Sequence, residues 1–302
     1  MPDSRATTET VDPRFAEIDS WSTEAAIEAM LEGQLSAIAS IKGQVRGIAS
    51  ASEAAAERLL AGGRLIYVGA GTSGRIAVQD GVELGPTFGW PADRLGFVLA
   101  GGLAALAHSA EGAEDDAGDA VRQIAELLLT TSDVVIGVAA SGHTPFTVAA
   151  LEAARALGAL TVAIANNAGS PLAAAAEHAI DAETGSEVVA GSTRMKAGTA
   201  QKAVLNLLST AAMIRCGRVY RGLMVDMVVS NDKLRRRAQA MVSQLAACPR
   251  DVAIAALAAA DDDIKTAVLI AMGQNRSAAR DILKAHGDNL RTALESIAEE
   301  RS

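Results

Sequence analysis

The chain has 302 residues, of which 50% are hydrophobic but only 3% aromatic, and a formal net charge of −9. That length allows one large domain or one domain with appendages, and the acidic balance offers no electrostatic footprint for nucleic acid or an anionic membrane. Cys216 and Cys248 are the only cysteines and lack zinc-type spacing, no secretory signal or apolar stretch of about 20 residues is legible, and a cytoplasmic protein without metal or disulfide scaffold is expected.

Residues 22–60 read as helix, because Ile27, Met30, Leu31, Leu35 and Ile38 recur at helical spacing. Ser22 or Thr23 can cap it, with Glu24 in its first turn. Gly62 and Gly63 stop the pattern, and residues 64–68 form a short apolar run of strand type. A glycine-rich loop at 69–74 follows, and then a helical stretch to about Glu83. The same grammar returns with a strand at 133–138, a loop at 139–144 and Pro145 at the first helical position, where its missing N–H would have had no partner. Residues 160–165 give a third strand. Strands alternating with helices predict an α/β fold, with a parallel sheet covered by helices on both faces. Beyond Ala197 the pattern is helical to the end, with breaks near Gly217, Cys248-Pro249, residues 261–263, Gly273 and Gly287. The expected organisation is an N-terminal helical segment (1–50), a sheet domain (51–222) and an all-helical C-terminal domain (223–302). The basic cluster at 233–237 reads as a solvated helix face.

Gly71-Thr72-Ser73-Gly74 and Ser141-Gly142-His143-Thr144 both sit at the carboxyl ends of predicted parallel strands, where open α/β sheets bind ligands. Glycine lets an anion approach the backbone, hydroxyls donate hydrogen bonds, and the next helix adds partial positive charge, so a phosphate group suits both. Gly69, Gly71 and Gly74 also match a dinucleotide fingerprint. That reading needs an acidic residue closing a second strand about 20 residues later, and neither Glu83 nor Asp93 follows a strand pattern. A purely structural strand-to-helix turn explains one such loop more readily than two. Of His108, His143, His178 and His286, only His143 lies in a proposed ligand loop.

The runs GAGTSGR at 69–75, AASGHTP at 139–145 and above all GSEVVAGSTRMKAGTAQK at 185–202 resemble the N-acetylmuramic acid 6-phosphate etherases, which share a sugar isomerase (SIS) domain with the animal glucokinase regulatory protein. The resemblance implies a SIS-type fold and a sugar-phosphate ligand. It also implies cleavage of the D-lactyl ether of N-acetylmuramic acid 6-phosphate, to N-acetylglucosamine 6-phosphate and D-lactate. The implied route starts from the ring-opened aldehyde: a base removes the C2 proton, lactate leaves C3 and water adds back, with no metal or organic cofactor. By the same resemblance Glu83 is the acid and Glu114 a second catalytic carboxylate, a plausible base at C2. The implied assembly is a homodimer whose sites lie close to the subunit interface.

Read from its surroundings, Glu83 is expected at the C-terminal end of a helix and partly buried, which would raise its pKa toward that of a general acid. The acidic neighbours of Glu114 would hold its pKa up. Glu187 and the run from Ser192 to Lys196, with Ser192, Arg194 and Lys196 foremost, could shape the sugar pocket, with Arg194 or Lys196 balancing phosphate or lactate charge; helix capping and intersubunit packing ahead of residue 197 are equally open. The chain departs from the family pattern at His143, where Arg is common, at Gly81, Val82, Leu84 and Gly85 around Glu83, and at Asp12 in place of Asn. A non-catalytic sugar-phosphate sensor and an aldose-ketose isomerase are the competing readings.

Overall fold

The computed structural model describes residues 7–108, 110 and 112–300. Two compact units divide them, one made of the residues up to Gly81 with Asp93–Ala212, the other of Val82–Ala92 with the residues from Met213 on.

In chain order the first set of elements is α1 (Thr23–Ser40), α2 (Val45–Leu60), β1 (Leu65–Gly69), α3 (Gly71–Phe88), β2 (Leu95–Leu99), α4 (Ala117–Glu126), β3 (Val134–Ala139), α5 (Pro145–Ala156), β4 (Leu160–Ala165), α6 (Pro171–Ala175), β5 (His178–Asp181) and α7 (Lys196–Arg215). The five strands form one sheet in the order β2-β1-β3-β4-β5. All pairs are parallel, with Leu65 beside both Leu95 and Val134. Every residue of β1, β3 and β4 is buried, which is why these segments read as unbroken apolar runs rather than alternating ones. Ile66, Val68, Val135 and Ala163 pack on one face against Ile124, Phe146, Leu151 and Leu172, contributed by α4, α5 and α6. On the other face the Tyr67 hydroxyl donates to Asp80 of α3 (2.7 Å), whose second oxygen accepts from Asn206 (2.6 Å) and Ser209 (3.2 Å) of α7. Burial, and then the neighbouring Asp80, push the Tyr67 phenol well above its ordinary range, so it serves as a neutral donor.

Four details differ from the sequence reading. Residues 22–60 form two helices, broken by a tight turn at Ile41–Gln44. Part of the apolar face of α1, namely Ile27, Leu31, Leu35 and Ile38, is exposed in the single chain. Strands β2 and β5, absent from the pattern, complete the sheet, and Asp93 precedes β2 instead of closing it. Helix α3 continues past Gly85 and Pro86 and stops where the Gly89 and Trp90 N–H groups bond back to the Gly85 and Leu84 carbonyls (2.9 and 3.3 Å), the closure of a helix C-terminus.

The second unit holds α8 (Asp232–Leu245), α9 (Arg250–Ala259), α10 (Ile264–Ala271), α11 (Arg276–Ala285) and α12 (Leu290–Glu300), with a two-stranded antiparallel ribbon, β6 (Val219–Tyr220) and β7 (Leu223–Met224). Its core gathers Met241, Leu257, Val268, Leu283 and Ile297. The side chains of Asn231, Asp263 and Asn275 cap α8, α10 and α11, so the breaks coincide with the expected ones near Asp263 and Gly273. Among the described residues no single helix is long and apolar enough to cross a membrane.

Candidate active site

Strand β1 has β2 on one side and β3 on the other, so chain connections leave β1 and β3 in opposite directions, and a crevice opens beyond their carboxyl ends. Both hydroxyl-rich segments stand there. Gly71, Thr72 and Ser73 form the first turn of α3 itself, not a loop before it. Its N–H groups therefore belong to a helix start, which lacks intrahelical acceptors and favours anions. Gly69 and Gly74 pack backbone to backbone, since a Cβ on Gly69 would lie 2.9 Å from Gly74 atoms; that contact draws the helix start down onto the strand.

The second segment turns at Gly142, whose φ of +70° suits glycine and whose added Cβ would overlap the Ser170 side chain. The turn is closed by Gly142 N–H to Ala139 O (3.2 Å), and His143 N–H donates to Ser141 Oγ (3.1 Å). His143 Nδ1 lies 2.8 Å from Ser141 O; a carbonyl only accepts, so Nδ1 carries the proton. Thr144 occupies the N-cap of α5, but its side chain does not cap the helix.

A cleft of about 370 Å³ is lined by Gly71, Thr72, Ser73, Ser141, His143 and Thr144, together with Glu114, Asp115, Thr193, Glu9, Ala70, Ala140 and Pro145. A second hollow of about 250 Å³ shares Ala70, Gly71 and Glu114 and adds Arg75, whose guanidinium donates to the Ala105 and Leu106 carbonyls (3.0 and 3.1 Å). The main lining includes carboxylates but neither Lys nor Arg. An anion held there would rest on hydroxyls and on the helix-start N–H groups of α3 and α5. Among the described residues no cluster of His, Cys, Asp and Glu is arranged to hold a metal ion.

The remaining expected site residues fall elsewhere. Glu83 lies twelve residues beyond Gly71 in α3, about 18 Å along the axis. It is exposed rather than partly buried, and it does not line the cleft. Glu187 is 1% exposed, and its two oxygens accept from the N–H groups of Lys196 and Ala197, both at 2.9 Å. That carboxylate caps α7. Lys196 is held by its Nζ on Ser186 O (2.8 Å), and partial burial pushes its ammonium below the ordinary value, against the opposing pull of Glu187. Ser192 is half-buried and Arg194 exposed, and of the 192–196 run only Thr193 lines the cleft. Glu111, part of the acidic run around Glu114, lies outside the described residues.

Two family models match, the glucokinase regulatory protein N-terminal SIS domain over residues 46–155 and the SIS domain over 115–211. An N-acetylmuramic acid 6-phosphate etherase of Deinococcus radiodurans is 43% identical, the match covering 97% of this chain and 96% of that one. One from Symbiobacterium thermophilum is 51% identical over 84% of each chain. The chain belongs to the N-acetylmuramic acid 6-phosphate etherase family. Among solved structures, one described as a phosphosugar isomerase involved in capsule formation, from Bacteroides fragilis, superposes with a TM-score of 0.51 at 20% identity over 67% of this chain and 95% of that one, a likeness of fold.

Within this etherase-family framework, the residue that sequence reasoning missed is Glu9, which comes from a segment more than a hundred residues away from most of the lining. Asp115 was visible only as the neighbour of Glu114. Asn167, at the end of β4, carries the connection: its Oδ1 accepts from the N–H and hydroxyl of Thr7 (2.8 and 2.7 Å), while its Nδ2 donates to Ala140 O (2.8 Å).

Proposed function

We propose that this chain cleaves the D-lactyl ether of N-acetylmuramic acid 6-phosphate by elimination and water addition, releasing D-lactate and N-acetylglucosamine 6-phosphate. The observation that carries the reading is that two donor-rich turns and Glu114 share one cleft at the switch point of the sheet. In this reading the 6-phosphate rests against Thr72, Ser73, Ser141 and Thr144, and the sugar extends toward Glu114. The open-chain aldehyde at C1 stabilises the carbanion formed when Glu114 takes the C2 proton, so the chemistry calls on no metal or cofactor. Lactate then leaves C3 with a proton from an acid, and water adds to C3 of the unsaturated aldehyde.

Glu83 is the acid of this proposal. Because it stands exposed outside the cleft of its own chain, the reading assigns it to the cleft of a second copy in a homodimer. The exposed row Ile27, Leu31, Leu35 and Ile38 supports a partner surface, and Cys216 and Cys248 are not joined in a disulfide, as suits a reducing, cytoplasmic compartment.

Incubation with N-acetylmuramic acid 6-phosphate in deuterated, oxygen-18 water tests the chemistry: deuterium is expected at C2 and heavy oxygen at C3 of the product. Heavy oxygen in lactate would mean hydrolysis at another bond and would reject elimination. Mixing inactive Glu83→Gln and Glu114→Gln chains tests the shared site. Random reassortment leaves one intact site in each mixed dimer, so about a quarter of wild-type lactate release should return. No recovery after confirmed subunit exchange would place both carboxylates in one chain.

A further inference from the structure

We infer that Glu9 is a substrate-contacting residue that accepts a hydrogen bond from a hydroxyl or amide N–H of the sugar, an inference that rests on the function proposed above. Glu9 lines the cleft, and its carboxylate lies over the signature loop, with Oε2 3.3 Å from where a Cβ on Gly191 would stand. The segment that delivers it is fastened on both sides. Thr7 donates twice to Asn167, Asn167 donates to Thr8 Oγ1 (3.3 Å) and to Ala140 O, and Gly191 N–H donates to Thr8 O (3.2 Å). Thr8 is wholly buried. An exposed surface glutamate does not call for such an anchor, whereas a group that must meet a ligand at fixed distance does.

The carboxylate itself takes no hydrogen bond or ion pair from any described residue, and the described side chains around it form no metal cluster. An ionised carboxylate only accepts, so a ligand that meets Glu9 in the cleft meets it with a donor. The phosphate is excluded by like charge. The cleft thereby has two ends: hydroxyls and N–H donors for the anion, acceptors for the neutral, hydroxyl-bearing body of the sugar. Glu9 reads the second end, and the Asn167 clamp sets its position.

Calorimetric titration of wild type, Glu9→Ala and Glu9→Gln with N-acetylglucosamine 6-phosphate, and separately with inorganic phosphate, tests this. A hydrogen bond to a charged group corresponds to about tenfold to hundredfold in affinity. Glu9→Ala should therefore bind the sugar phosphate at least about tenfold more weakly and inorganic phosphate no more weakly than wild type. Glu9→Gln, which keeps an acceptor oxygen, should lose less. Equal weakening for both ligands, or unchanged sugar-phosphate affinity, would overturn the inference. Thermal unfolding within the small range of surface substitutions shows that the variants fold. Because binding needs no turnover, wild-type protein that binds the sugar phosphate yet releases no lactate would sink the etherase reading while leaving the Glu9 comparison decided.

Discussion

Replacing Glu187 by Ala separates the two roles that the signature left open for it. In the structure its carboxylate is buried and accepts two backbone N–H groups at the start of α7, each at 2.9 Å. Hydrogen bonds to a charged group contribute about 1.5–3 kcal/mol each, and loss of an N-cap costs about 1 kcal/mol. The buried carboxylate also carries a desolvation cost that disappears with it, so a net loss of about 3 kcal/mol is expected. For a unit of this size that lowers Tm by about 6–12 °C, or moves the urea midpoint by about 1 M. Glu187→Gln should recover little, because its amide offers one oxygen but turns an NH2 toward the second N–H. Urea unfolding followed by circular dichroism, with hydrogen exchange at the Lys196 and Ala197 amides, reads the effect. Stability of Glu187→Ala within about 0.5 kcal/mol of wild type, accompanied by weaker substrate binding, would refute the capping argument and make Glu187 a ligand of the substrate.

Asp133 joins β3 to the start of β1 through Arg64, with contacts of 2.8 Å to its N–H and 2.7 Å to its guanidinium. Burial pushes the carboxyl up, but the bonds from Arg64 and from the Thr130 N–H outweigh it and hold the pKa below the ordinary value. A folded pKa below the unfolded one gives stability that is present above the unfolded value near 3.9 and is lost as pH falls through the folded value. The stability gap between wild type and Asp133→Asn should thus be full at pH 7 and shrink under acid titration; a gap independent of pH would contradict the pairing. Gly142→Ala should weaken sugar-phosphate binding markedly, since both the positive φ and the Ser170 overlap displace the second turn; unchanged affinity in a calorimetric titration would remove that turn from the site.

The parts of the fold legible in the sequence were those whose cause is local. β1, β3 and β4 are buried throughout and announced themselves as apolar runs, and the C-terminal helices were punctuated by residues that do stop or cap them. β2 and β5 lie at the sheet edges and are only partly buried, and β5 is also short, so neither stood out as a buried strand. The end of α3 was misread because Gly85-Pro86 is a terminator on local grounds, while the bonds that close the helix come from Gly89 and Trp90. The two donor-rich turns were readable from composition and strand order alone. For Glu187 the sequence leaves capping and the sugar pocket equally open, because the cap reaches α7 from nine residues upstream rather than from the three-residue spacing of a capping box. Glu9 was invisible for a stronger reason: its position depends on Thr7 meeting Asn167, a pairing across 160 residues that no local pattern encodes.

The absence of Lys and Arg from the lining of the proposed phosphate site has an electrostatic consequence. Sites that hold an anion with side-chain cations lose affinity as salt screens the attraction, whereas here the formal charges lining the cleft are carboxylates, and in the proposed site the attraction would come from hydroxyls and helix starts. These act over the last few ångströms, well inside the Debye length of about 8 Å at physiological ionic strength, and are screened little. Screening instead weakens the repulsion between Glu9, Glu114, Asp115 and the incoming dianion. Affinity for N-acetylglucosamine 6-phosphate should therefore change by less than about twofold, or rise, between low salt and 0.5 M sodium chloride. A fall of tenfold or more would require a cation in the bound site, and the exposed Arg194 beside Thr193 is the residue whose substitution by Gln would then abolish the salt dependence.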